Sequence, residues 1–145
     1  MMTERKKLYF DDVKEGDEVP KFVVENITRT DICKYAGASG DFNPIHHDQT
    51  FAEKAGYPSV FAHGMLSAGL VGKCVTDYVG RPSLRIFRVS FRSQVWPGDT
   101  ITVGGKVTRK FEEKSEKRVE GEILATNQKG EPVIQGGFVA ALPSR

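Results

Sequence analysis

Apolar and polar residues follow two different periods along this chain, and the change from one to the other divides it. In the second half the period is two. Phe87, Val89, Phe91 and Val95 alternate with Arg88, Ser90, Arg92 and Gln94, which predicts a strand. Trp96-Pro97-Gly98-Asp99 reads as a turn. Ile101, Val103 and Val107 resume the alternation, interrupted at Gly104-Gly105, where a bulge or bend is expected. Residues 111–117 are highly charged and read as an exposed hairpin tip. Val119, Gly121, Ile123 and Ala125 form the next strand, Asn127-Gln128-Lys129-Gly130 a turn, and Val133 to Leu142 the last strand.

The first half is mainly helical in period, after an extended piece at Phe22-Val23-Val24 that follows a Gly16-Asp17 turn. Thr28 is placed to cap a helix, with Asp31 three residues on. Ile32, Tyr35 and Ala36 give that helix one buried face, and Gly37 and Gly40 end it. Asp48 is placed to cap a short second helix with Phe51, Ala52 and Ala55 inward and Gly56 as its stop. From Ala62 to Val79 the apolar residues Met65, Leu66, Leu70, Val71, Val75 and Val79 are spread round the helix. A helix apolar on most sides is expected to be buried. Gly69 and Gly72, each costing about 1 kcal/mol relative to Ala, point to an element packed close against it. The order is therefore one strand, short helices, a long helix, then four antiparallel strands joined by short turns. That predicts an α+β fold with one twisted sheet curled round one apolar helix. Such a sheet leaves an edge and one helix end uncovered, so self-association is expected. Residues 1–8 read as a flexible charged end, and 9–145 as one domain.

Composition narrows the partners. The formal charge is only +2, from 21 basic and 19 acidic residues, which gives no electrostatic case for nucleic acid or an anionic membrane. No segment reaches the ~20 apolar residues of a membrane span, and the polar start is no signal peptide. Cys33 and Cys74 stand far apart and read as two buried free thiols in a reducing compartment. Cytoplasmic residence is the expectation.

The candidate chemistry lies between the helices. Residues 35–48 hold an acid, an amide and an imidazole, Asp41, Asn43 and His46, where Gly40 and Pro44 disfavour regular structure. Polar groups on such a loop are well placed for chemistry. Each also has a plainer reading. Asp41 suits a turn cap, His46 a hydrogen-bonded structural histidine, and Asn43 a turn residue before proline. His47 is expected to face solvent. His46, His47 and Asp48 do not suggest a metal, because neighbouring side chains diverge and no further His or Cys stands at ligand spacing. The Gly64 N–H, at the start of the long helix, is an unpaired donor in a positive field.

Tyr35 to Asp48 resembles the signature of the MaoC-like, (R)-specific enoyl-CoA hydratases, the hydratase 2 family. The matching residues are Ser39-Gly40-Asp41-Phe42-Asn43-Pro44-Ile45-His46, with Ala52 six positions later. Ala62-His63-Gly64-Met65 and Val95-Trp96-Pro97-Gly98-Asp99-Thr100 look like two further landmarks, so the resemblance runs from about Val13 to the last strand. It implies a hot-dog fold and a dimer with active sites at the subunit interface. It implies Asp41 and His46 as the catalytic pair and Gly64 as the oxyanion donor. By their own chemistry Asn43, which both donates and accepts, is a candidate to orient that pair, and His63 to support the Gly64 turn. The implied activity is addition of water to trans-2-enoyl thioesters, or the reverse dehydration, in fatty acid metabolism. No metal or redox cofactor is implied, the pantetheine of coenzyme A or acyl carrier protein being part of the substrate.

Met65, Leu66 and Val75 read first as core and second as lining of an acyl pocket. Arg88 and Arg92 read first as a solvated face and second as contacts to carrier phosphates. Two rival functions stand beside hydration. One is a hot-dog acyl-thioesterase. The other is a non-catalytic subunit of a heterodimeric dehydratase.

Overall fold

The computed structural model describes residues 6–145. The loose terminus expected over residues 1–8 lies largely outside the described residues, and within them Leu8 already packs against the core. Five strands form one antiparallel sheet: β1 (Glu18–Val24), β2 (Leu84–Phe91), β3 (Ile101–Glu113), β4 (Glu116–Thr126) and β5 (Pro132–Ala141). Their order across the sheet is β1-β3-β4-β5-β2. Three helices, α1 (Arg29–Ser39), α2 (Gln49–Lys54) and α3 (Gly64–Val79), lie in sequence between β1 and β2. The expected α+β arrangement of a sheet about a long helix is therefore present.

The sequence explains most element ends. Thr28 accepts from the Asp31 N–H and Asp31 accepts from the Thr28 N–H, a reciprocal capping box. Gly40 closes α1 at φ 76°, whereas Gly37, expected to help end it, lies inside the helix. Asp48 accepts the Phe51 N–H at 3.0 Å and starts α2. Replacing Thr28 by Ala is expected to cost about 1 kcal/mol of unfolding free energy, measured by urea denaturation.

The long helix is buried on one side only. Ala68, Val71, Cys74, Val75 and Val79 face the sheet and are buried, whereas Met65, Gly69 and Lys73 form an open stripe. The expectation of an all-round buried helix fails because a single sheet curls round one face. A Cβ at Gly72 would meet the Phe87 ring at 3.7 Å, but one at Gly69 would meet nothing within 4 Å. The close neighbour inferred for both glycines exists for Gly72 alone.

Glycine also lets the sheet curl. Gly105 and Gly136 flank Ile123 on the two neighbouring strands. A Cβ at Gly105 would lie 2.1 Å from the Glu122 carbonyl oxygen, and one at Gly136 would lie 2.0 Å from that of Arg88. The bulge or bend expected at Gly104-Gly105 is present on the β1 side: Val19 pairs with Gly105 and Phe22 with Val103, so two β1 residues stand opposite Gly104. On the β4 side the register at these glycines is continuous, and the extra residue sits at Thr108. Gly105 also serves close strand approach, whereas a Cβ at Gly104 would meet only the Lys21 side chain at 3.6 Å. The charged tip is also shorter than residues 111–117: β3 runs to Glu113 and β4 starts at Glu116, with Lys114 and Ser115 at φ 52° and 60° making the turn. Arg118 is buried behind that turn and held by Glu113 and Glu116.

Three smaller expectations are corrected. Phe51 and Ala55 are exposed and only Ala52 of that trio is buried, because α2 is a short surface turn. Cys33 is exposed, on the solvent side of α1, and Cys74 is buried. The four later strands are not all linked by short turns: Trp96–Asp99 is the turn expected, with the Asp99 N–H on the Trp96 carbonyl at 3.0 Å, but β2 and β3 are separated by β4 and β5. Residues 92–100 cross between them, and the Val95 carbonyl accepts the Ala62 N–H at 2.8 Å. This crossing fixes the chain just before α3, where the polar loop also docks.

Candidate active site

The loop between α1 and α2 is a succession of side-chain turns. The Asn43 N–H donates to Asp41 Oδ1 at 3.2 Å, and the Ile45 N–H donates to Asn43 Oδ1 at 3.2 Å. Pro44 then opens one 3-10 turn, Pro44–His46, which delivers His46 to the interior. Asn43 thus performs the turn role weighed for it. Asp41 is exposed and His46 is 8% exposed. His47 faces solvent, its Nε2 3.1 Å from the Phe42 carbonyl.

His46 Nδ1 lies 2.7 Å from the Phe61 carbonyl oxygen. A carbonyl only accepts, so Nδ1 carries the proton and Nε2 of the neutral ring keeps its lone pair. Burial pushes the His46 pKa below its ordinary 6.5. The Phe61 hydrogen bond opposes that shift, His63 adds to it and Asp41 opposes it. At neutral pH the ring is therefore an uncharged base.

His63 is 2% exposed and is the N-cap residue of α3. Its ring stacks on His46 with centroids 3.8 Å apart and planes inclined at 29°. Its Nε2 lies 3.0 Å from the Asp41 carbonyl oxygen. A ligand-type atom from each of Asp41, His46 and His63 lies within 4.8 Å of the others. The sequence showed no further histidine at ligand spacing; folding supplies one, because the loop packs on the start of α3. His46 Nδ1 and His63 Nε2 are already engaged by the Phe61 and Asp41 carbonyl oxygens, which leaves one nitrogen on each ring without a carbonyl partner. Such a cluster suits proton transfer better than a tetrahedral cation.

Gly64 follows His63, and among the described residues its N–H meets no acceptor, as expected in a first helical turn. It opens on a cavity of about 300 Å³. The walls include Phe61, Ser67, Phe91, Val95 and Ile134, with Arg92 at the cavity as well. Of the positions weighed for an acyl pocket, Met65 is 60% exposed, Leu66 packs at the core margin and Val75 is fully buried. None of the three lines this cavity. Besides Phe61 and Ser67, which are sequence neighbours of Gly64, its walls come from the end of β2, the crossing segment and β5, which no local spacing in the sequence joins to Gly64.

A curled sheet about a helix, with an acid and a neutral imidazole beside a helix N-terminus, defines a hot-dog protein of the hydratase type of architecture. Residues 13–129 match the model described as MaoC like domain, and the chain belongs to that family. It is 33% identical over 139 residues to an (R)-specific enoyl-CoA hydratase of Rhodospirillum rubrum, covering 94% of this chain and 93% of that one. It is 29% identical to a 3-hydroxybutyryl-CoA dehydratase of Methylorubrum extorquens, covering 94% and 85% of the two chains. The unliganded R-hydratase of Pseudomonas aeruginosa superposes with a TM-score of 0.84 at 25% identity, over 96% of this chain and 88% of that one.

Proposed function

We propose that this protein is a hydro-lyase that adds water across the C2=C3 bond of a trans-2-enoyl thioester to give an (R)-3-hydroxyacyl thioester, and catalyses the reverse. The observation that carries this reading is the convergence of Asp41 and the neutral His46 beside the unpaired Gly64 N–H. The water oxygen bonds to C3 as one of its protons passes to the Asp41/His46 pair, and C2 receives a proton from that pair. The electron pair of the double bond moves meanwhile onto the thioester as an enolate, whose oxygen the Gly64 N–H is placed to stabilise. Proton count and charge both close over the cycle. The 300 Å³ cavity accepts the acyl end. Coenzyme A or acyl carrier protein enters only as the substrate's carrier, with Arg92 as a cation for its phosphates.

Crotonyl-CoA separates this from thioester hydrolysis. Hydration predicts loss of enoyl absorbance with no free thiol; thiol release at the same rate would replace the reading by a thioesterase. The pH dependence has a definite sign. Because the folded pKa of His46 lies below 6.5, the rate is expected to fall only as pH drops below that value. The same shift makes folding less stable below pH 6.5, where the unfolded ring takes a proton that the folded ring refuses.

The active form we infer is a dimer. Strand β2 is an edge strand that exposes Ile86 and Phe91, at 40% and 53%, and Phe42 and Met65 stand open near the site. Pairing over these residues would shield the exposed Asp41 from bulk water. Analytical ultracentrifugation tests it, a monomer at micromolar concentration being the contrary result. A related chain as the second subunit is supported if the purified chain turns over only when that chain is added. No helix among the described residues is long and apolar enough to cross a membrane.

A further inference from the structure

One buried group is not used by the reaction as written. His63 Nδ1 is buried and has no hydrogen-bond partner among the described residues. The Asp41 carbonyl takes the proton of Nε2, so Nδ1 is a bare acceptor. Leaving it unpaired carries a desolvation penalty that an apolar ring would escape. The surroundings would suit such a ring, since Tyr35 lies 4.9 Å and His46 3.8 Å from the imidazole, centroid to centroid. What a phenyl ring could not do is donate to Asp41. A local cost kept at this point is the mark of a functional constraint.

Resting on the hydratase reading, we propose that His63 is a positioning residue: its hydrogen bond holds the Asp41 backbone, its ring face sets the plane of His46, and its place in the chain ties both to the Gly64 N–H. Its ring also opposes a positive charge on His46, 3.8 Å away. The groups facing His46 are consistent with this. Burial opposes its charged form, as do His63 and His47, while the Phe61 carbonyl and Asp41 favour it. Tyr35, from α1, packs against His63 rather than His46.

The chain has three histidines, so each imidazole can be assigned by single substitution. Nitrogen-15 NMR of the wild-type protein is expected to show His63 protonated at Nε2 and His46 at Nδ1. The opposite tautomer at His63 overturns the proposal without any variant. His63→Phe keeps the stack and removes the donor and the second base. It is expected to raise the His46 titration midpoint and to lower kcat about 10–100-fold, as loss of an orienting partner does, with KM little changed. His63→Gln restores a donor near the Nε2 position and is expected to recover part of kcat. An unmoved His46 midpoint in His63→Phe, or a loss of kcat that Gln does not relieve, overturns the assignment. A wild-type protein inactive on enoyl thioesters would sink the hydratase reading instead, and the tautomers and midpoints would still decide the role of His63.

Discussion

Asp41→Asn and His46→Gln are each expected to lower hydration turnover about 10²–10⁴-fold, the usual yield of a positioned acid or base. The fold should survive both. Asp41 is exposed, and among the described residues its side chain bonds only the Asn43 N–H. Asn retains an oxygen for that bond, so the turn persists while the carboxylate is lost. Gln at 46 can still donate to the Phe61 carbonyl, which now anchors Nδ1 at 2.7 Å, but it cannot take up a proton at neutral pH. Thermal unfolding and circular dichroism check that the protein remains folded, and steady-state assays with an enoyl-CoA check the rate. Near-normal turnover in either variant removes that residue from the acid–base pair. The double variant is informative as well. If the two groups act on one water as a unit, its loss should be close to that of the worse single variant rather than the product of the two.

The chain states some of this plainly and hides the rest, and the division follows the range of the interactions. The capping box at Thr28, the Asp48 cap and the Gly40 stop are contacts within four residues, so their signals are local and legible. The strand alternation is equally local. What escaped was set by distant contacts. The exposure of Met65 and Gly69 depends on which side of α3 the sheet covers. The Gly104-Gly105 pair reads as an interruption of β3, and the β1 register does shift there, but the need for glycine at 105 lies in the Glu122 carbonyl on the next strand. At the site, the loop residues Asp41, Asn43 and His46 were visible together because one short segment carries them. The stack of His63 on His46 joins positions 17 apart in the numbering, and the cavity walls at Phe91 and Ile134 lie farther still. No spacing rule links them; only the crossing of residues 92–100 past the start of α3 does.

That dependence of the site on sheet curvature gives the largest expected effect on stability. Gly136→Ala should destabilise the protein by about 3 kcal/mol or more, beyond ordinary overpacking, because the neighbours are backbone and cannot swing aside. The new Cβ would lie 2.0 Å from the Arg88 carbonyl oxygen and 3.1 Å from Val89 Cα. Gly136 pairs with Val89 on one side and Ile123 on the other, so relief on the β2 side means opening the β2–β5 ladder. Strand β2 ends at Phe91, and the next residue, Arg92, donates its N–H to the Val133 carbonyl at 2.8 Å. Loosening that ladder therefore moves one wall of the cavity beside Gly64, and activity should fall along with stability. Gly37→Ala provides the opposite sign in the same assay. It lies inside α1, where a Cβ would meet nothing within 4 Å, so the helix should gain roughly 0.5–1 kcal/mol. Urea unfolding of the two variants beside the wild type measures both. Equal midpoints for Gly136→Ala and wild type would mean that the strands can part at no cost, and that the curl of this sheet does not rest on its glycines.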